Sequence, residues 1–185
     1  GFLNVPAVFS IDTVTGLRAE CRRLWASVER QPDNPRIQWR KSIEGKQVTD
    51  RIDPVLDLSP VLQSLAYHPL LLHIVAQLLV CNSPEIFKSK LISKWPGTGG
   101  YGLHQDFSYW FPNGGPSPDS FLTAIVALDT FTPASGSLEL FPGLHRSQLP
   151  PPQPGSKDID EENVDFPGSV IVSMEPGEML LLHGL

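Results

Sequence analysis

Nineteen prolines and fifteen glycines are spread through 185 residues, and no other feature limits the possible folds as strongly. Proline removes a backbone donor and fixes φ, and glycine supplies the turns that other residues resist. A chain so often interrupted has short elements and many turns, which suits β architecture with long loops better than a helix bundle. The length supports one core-bearing domain and is short for two. With 41% hydrophobic and 18% charged residues, the chain is not a disordered tail. No apolar run reaches the ~18 residues of a membrane span; the stretches Leu70 to Val80 and Met179 to Leu182 are shorter or interrupted. A net charge of −6 argues against a broad basic face for phosphates. Neither nucleic acid nor membrane is therefore expected as a partner.

Two cysteines, Cys21 and Cys81, are fewer than a secreted disulfide scaffold of this size carries, and both are expected to be buried thiols. Gly1 to Phe9 is apolar, lacks a basic start and contains Pro6, so it does not read as a signal peptide. It reads as a strand entered mid-domain, in a cytoplasmic protein.

Ser10 or Asp12 caps a helix running to about Glu29, with Val14, Leu17, Cys21, Leu24 and Val28 at three- and four-residue spacing. Residues 31–57 are polar, with a possible strand near Ile37 to Trp39. Ser59-Pro60 opens a second helix, His68-Pro69 interrupts it, and a third follows from Leu70 to Leu79. From Ile86 the pattern alternates: Phe87, Leu91 and Trp95 face one way, and Lys88, Lys90 and Lys94 the other. Apolar runs then recur at Phe121 to Leu128, Ser137 to Phe141, Ser169 to Met174 and Glu178 to His183, each bounded by Gly, Pro or Asp. Helices come first and strands follow. The division expected within a single domain is 1–85, a strand with buttressing helices, and 86–185, the strands of a jelly roll. A long loop at 148–165 carries Pro150, Pro151, Pro152 and Pro154 and the acidic residues Asp158, Asp160, Glu161 and Glu162. It reads as a solvated insertion, with a lid over a site as the alternative.

The chemistry concentrates in the segment from Tyr101 to Trp110. His104 and Asp106 are two apart, and on a strand such residues share a face. An imidazole and a carboxylate side by side occupy adjacent positions on an octahedral metal. A third His from another strand would complete the 2-His-1-carboxylate triad of non-haem Fe(II) oxygenases. By itself the spacing is weak, since such a match arises by chance about 0.3 times in a chain of this composition.

The surroundings add to it. Lys94-Trp95-Pro96-Gly97 comes before the pair. After it come Leu122 to Asp129, then Gly136 to Arg146 with its Pro142-Gly143-Leu144-His145 turn, then Pro176-Gly177 running to His183-Gly184. This ordered set resembles the phytanoyl-CoA dioxygenase (PhyH-like) family of Fe(II)/2-oxoglutarate oxygenases, over nearly the whole chain. The resemblance implies a mainly β fold with flanking helices, a double-stranded β-helix of the cupin-like jelly-roll type. It implies Fe(II), 2-oxoglutarate and O2, with a small organic molecule as substrate. His104 and Asp106 would be the first two iron ligands. Because halogenating relatives replace this carboxylate, Asp106 points to hydroxylation.

By the same resemblance Lys94, Thr123 and His145 are candidates for the cosubstrate site, and Gln105, Phe107, Tyr109 and Trp110 for a substrate pocket. Each also has a structural reading: an edge lysine, a β-forming threonine, a turn histidine, an aromatic core. Gln105 points away from the ligands if the strand is regular. His68 and His73 read as structural. The family's third ligand lies about five residues after the position of His183, with the cosubstrate arginine further on. The expectation is therefore a fragment with its third His beyond Leu185; the alternatives are that His183 serves as ligand, or that the domain is inactive. Two other readings of the chain stay open: a non-catalytic jelly-roll binding module, and a cupin-type metal enzyme without 2-oxoglutarate.

Overall fold

The structure is a computed structural model that describes residues 1–28, 30–31, 33–110, 114–149, 159, 164–166 and 168–185. Most of the expected proline-rich acidic loop, including its four prolines and its acidic cluster, lies outside the described residues. The chain divides into two compact units, Phe9–Gly99 and a unit formed by Gly1–Val8 with Gly100–Leu185. The break at Gly99–Gly100 falls later than the division at residue 85 read from the sequence, and the first strand belongs with the C-terminal part.

The Phe9–Gly99 unit holds α1 (Ile11–Val28), β2 (Ile37–Lys41), β3 (Gln47–Ile52), α2 (Pro60–Ala66), α3 (Pro69–Leu78) and β4 (Leu91–Ile92). The stripe predicted for α1 is the buried one: Val14, Leu17, Cys21, Leu24 and Val28. Burying each large aliphatic side chain is worth about 1.5–3 kcal/mol. Ser10 starts the helix, its Oγ accepting from Thr13 N–H and its carbonyl from Val14 N–H. Ser59 caps α2 by accepting from Leu62 N–H, with Pro60 in the first turn. By length and composition Pro60–Leu78 would reach a membrane span, but His68-Pro69 breaks it into helices of 7 and 10 residues. A 10-residue helix is only about 15 Å long.

Strands β2, β3 and β4 form an antiparallel sheet in that order. Strand β3 carries no apolar alternation to announce it, because its buried residues include Thr49 and Asp50. Asp50 is tolerated there because Arg40 Nε on β2 pairs with it at 2.9 Å. The alternating strand expected from Ile86 to Trp95 is paired only over Leu91–Ile92. Phe87 and Trp95 are exposed, and Lys88 pairs with Asp53 at 3.1 Å. Cys21 is buried and Cys81 only half-buried; neither forms a disulfide.

The other unit contains β1 (Phe2–Val5), α4 (Phe107–Trp110), β5 (Leu122–Val126), β6 (Leu138–Leu140), β7 (Val170–Val172) and β8 (Met179–His183). One sheet has the order β1-β8-β5 and the other pairs β6 with β7, all antiparallel. Ala127, Val172, Met174 and Leu180 form a core that also takes Ile125, Phe131, Leu138, Leu140 and Leu182. Residues from both sheets meet in it, so the sheets pack face to face. Strand β8 lies between β1 and β5, and Met179, Leu180 and Leu181 are all buried. A strand buried on both faces reads as a continuous apolar run, which is what Met179 to Leu182 is.

Candidate metal centre

The segment bearing His104 and Asp106 is not a regular strand. His104 is an isolated bridge residue, residue 106 lies in a turn, and α4 begins at Phe107. Phe107 N–H donates to the Gly184 carbonyl at 2.7 Å, which ties the start of α4 to the residue after β8. At this junction the two side chains still converge, with His104 Nε2 3.5 Å from Asp106 Oδ1 and 28% and 25% of the side chains exposed.

The other atoms of each group are engaged. His104 Nδ1 donates to the Gly102 carbonyl at 2.7 Å, which leaves the lone pair on Nε2. Asp106 Oδ2 accepts the hydroxyl of Thr123 on β5. The Tyr109 ring meets His104 edge-on, 5.1 Å between centroids and 83° between planes. Thus Nε2 and Oδ1, both electron-pair donors, face each other. A metal cation, or a proton on Nε2, relieves the repulsion between two such lone pairs, and a ligating imidazole whose second nitrogen is held by a carbonyl is the usual outer-shell pattern. The donor set of one imidazole, one carboxylate and no thiolate fits Fe(II). Among the described residues no third His, Cys, Asp or Glu joins them.

His183 does not fill that place. The β5–β8 register pairs Leu122 with His183 and Thr123 with Leu182. Alternate residues point to opposite faces, so His183 lies on the face opposite Thr123 and the carboxylate that Thr123 holds. Its Nδ1 accepts Leu185 N–H at 3.2 Å, its Nε2 lies 3.4 Å from Asp119 Oδ1, and its ring is 5.6 Å from that of His145. His145 sits on the short turn Leu144–Arg146 behind Gly143, whose φ of 94° requires glycine. Its Nδ1 is buried without a hydrogen-bond partner. Burial, and then the amino group of Gly1, His183 and Arg146, hold its imidazole below the ordinary pKa.

The remaining candidates separate. Gln105 is 5% exposed and bonds to the backbone of Leu144, Ser147 and Leu149. Phe107 is buried, and Trp110 lies 6.0 Å from Tyr109. Lys94 belongs to the Phe9–Gly99 unit; partial loss of solvent, then the Arg40 cation, lowers its pKa, with Asp50 opposing. Gly184, which holds Phe107, was not singled out by the sequence, although the glycine directly after a buried strand was the available signal. Ile159, the described residue within 150–163, is buried and its N–H donates to the Leu103 carbonyl at 2.8 Å. That anchor is one residue from His104.

Residues 1–185 match the phytanoyl-CoA dioxygenase (PhyH) family, and the chain belongs to that family. A methylphosphonate hydroxylase of Gimesia maris is 36% identical over 97 residues, 51% of this chain and 34% of the relative. An ectoine dioxygenase of Nocardia farcinica is 29% identical over 153 residues, 81% of this chain and 49% of the relative. The chain therefore spans about half or less of the length of the curated relatives it matches. Among solved structures, iron-bound EctD from S. alaskensis aligns at a TM-score of 0.81 and 25% identity, covering 100% of this chain and 64% of that one. The face-to-face sheets are thus those of the PhyH jelly roll, as the sequence led one to expect.

Proposed function

We propose that the protein is a non-haem Fe(II)/2-oxoglutarate-dependent dioxygenase that hydroxylates an unactivated C–H bond of a small organic molecule. The observation that carries this reading is the facing of His104 Nε2 and Asp106 Oδ1, in a chain whose whole length matches the PhyH family. His104 and Asp106 would hold the iron, with a third ligand from outside the described residues. When bound, iron and 2-oxoglutarate together supply the oxidising power, splitting O2 between succinate and the hydroxylated product, with loss of CO2.

The chain's own contribution is placement. The Gly102 carbonyl keeps the proton on Nδ1 and so presents a neutral Nε2 to the metal. Thr123 holds one carboxylate oxygen and so presents the other. Tyr109 fixes the plane of the imidazole. Thr123 shares an inward face with Ile125, so an apolar wall adjoins the polar site, as small-molecule sites require. Presence of the carboxylate at Asp106 favours hydroxylation over halogenation. His145 remains a candidate for a cosubstrate carboxylate.

Anaerobic addition of Fe(II) and 2-oxoglutarate to the full-length protein should produce the weak visible charge-transfer band of the chelate. The absence of a third ligand among the described residues favours a second reading, a non-catalytic module of the same fold. That reading gives no band, and observing none would displace the first.

A further inference from the structure

We propose that Gln105 is a positioning residue for the metal pair, a three-bond clamp that fixes the backbone between His104 and Asp106 to the Leu144–Leu149 segment. The inference rests on the metal-centre reading above and adds to it a residue whose side chain bonds to the backbone of the Leu144–Leu149 segment.

Gln105 sits between the two ligands in sequence and is turned into the protein, 5% exposed. Its whole carboxamide is used. Nε2 donates to the Leu144 carbonyl at 3.2 Å and to the Ser147 carbonyl at 3.0 Å. Oε1 accepts Leu149 N–H at 2.9 Å. The partners are 39 to 44 residues away, so the clamp joins two distant parts of the unit. Two donors and one acceptor on a single planar group match only an amide of this length. Asparagine is a methylene short, ionised glutamate has no donor, and methionine fills the volume without any hydrogen bond.

The consequence for the ligands follows from chain geometry. A residue whose side chain is held at three points cannot rotate about its backbone without breaking them. His104 and Asp106 are covalently on either side, and Phe107 N–H is held in turn by Gly184. The ligand pair is therefore suspended between two anchors. Losing the first takes from two carbonyls and one N–H the partner that Gln105 supplies, and they will find new partners by moving. A site that must hold its geometry within about 0.5 Å tolerates little of that.

The test uses the full-length protein under anaerobic conditions, reading Fe(II) affinity and thermal stability together. Gln105→Met and Leu149→Pro break the clamp from opposite ends; the second removes the N–H that Oε1 accepts and leaves residue 105 untouched. Wild type should bind Fe(II), Gln105→Met should bind at least about tenfold more weakly, the low end for lost outer-shell partners, and Leu149→Pro should fall between. The double variant should be no worse than Gln105→Met. A merely structural glutamine would lower the melting temperature and leave the affinity of the folded protein unchanged. Affinities within twofold of wild type in both variants overturn the proposal. If Gln105→Met does not fold, Leu149→Pro decides alone on the same criterion. If wild type itself takes up no Fe(II), the metal-centre reading falls and the positioning role with it.

Discussion

Two imidazole–carboxylate pairs lie in the same unit at nearly the same separation, 3.5 Å for His104 and Asp106 and 3.4 Å for His183 and Asp119. They are opposite in chemistry because of what holds the second ring nitrogen. His104 Nδ1 faces a carbonyl and carries the proton of the neutral ring, so Nε2 of that tautomer offers a lone pair to a second lone-pair donor. His183 Nδ1 faces a backbone N–H and must accept, so its Nε2, 3.4 Å from Asp119 Oδ1, carries the proton. The neutral first pair sets two lone pairs against each other; the second sets an N–H beside a carboxylate at 3.4 Å. Exposure agrees, because Asp119 is 89% exposed and holds its partner only weakly. Proximity of ligating residue types is therefore poor evidence for a metal site until the remaining bonds of each group are followed.

The largest expected effect breaks the first pair. Asp106→Ala or His104→Ala should abolish Fe(II) retention and product formation by the full-length protein, whereas His183→Ala should keep Fe(II) affinity within about threefold, since its proton already sits on Nε2. Equal losses in all three variants would erase the distinction.

Next comes the residue between the two pairs. A Cβ at Gly184 would come within 2.6 Å of the Phe121 ring and 2.9 Å of the Pro118 carbonyl. Gly184→Ala should therefore cost about 1–3 kcal/mol in denaturant unfolding, and an unchanged midpoint would contradict the packing described. Smaller still, Thr123→Val removes the hydroxyl that orients Asp106 and should weaken Fe(II) binding about tenfold, equivalent to about 1.4 kcal/mol. Its counterpart, Asp119→Asn, should change stability by less than about 0.5 kcal/mol.

The smallest effect is a pH dependence at His145, whose ring lies 5.6 Å from that of His183. His145 is held below its ordinary pKa by burial, so between the folded and unfolded values the unfolded chain binds more protons. Stability should be fully present above the ordinary histidine pKa of about 6.5 and decline as pH falls through the folded value. His145→Gln should flatten that decline in urea midpoints measured across the acidic range. A steeper decline would reverse the sign.

Legibility followed the range of the forces involved. The five buried residues of α1, the Ser59-Pro60 start of α2 and the break at His68-Pro69 were all readable, because periodicity, capping and proline sterics act within a turn or two. Strand β8 was readable as an uninterrupted apolar run. Strand β3 was not: its core residues are polar, and Asp50 is acceptable inside only because Arg40 lies across the ladder. His104 and Asp106 were named from spacing, but the strand assumed for them is in fact a bridge residue and a turn running into α4.

By itself, then, the sequence determined which residue types stand two apart, where helices begin and end, and which family the ordered motifs resemble. The tertiary structure decided which lone pairs face each other. Gly102, Thr123 and Tyr109 set the first pair, Leu185 and Asp119 the second, and the two-residue period of β8 puts His183 on the far side from Asp106. A hydrogen bond depends on distance and direction between groups far apart in the chain, and those quantities exist only once the chain has folded.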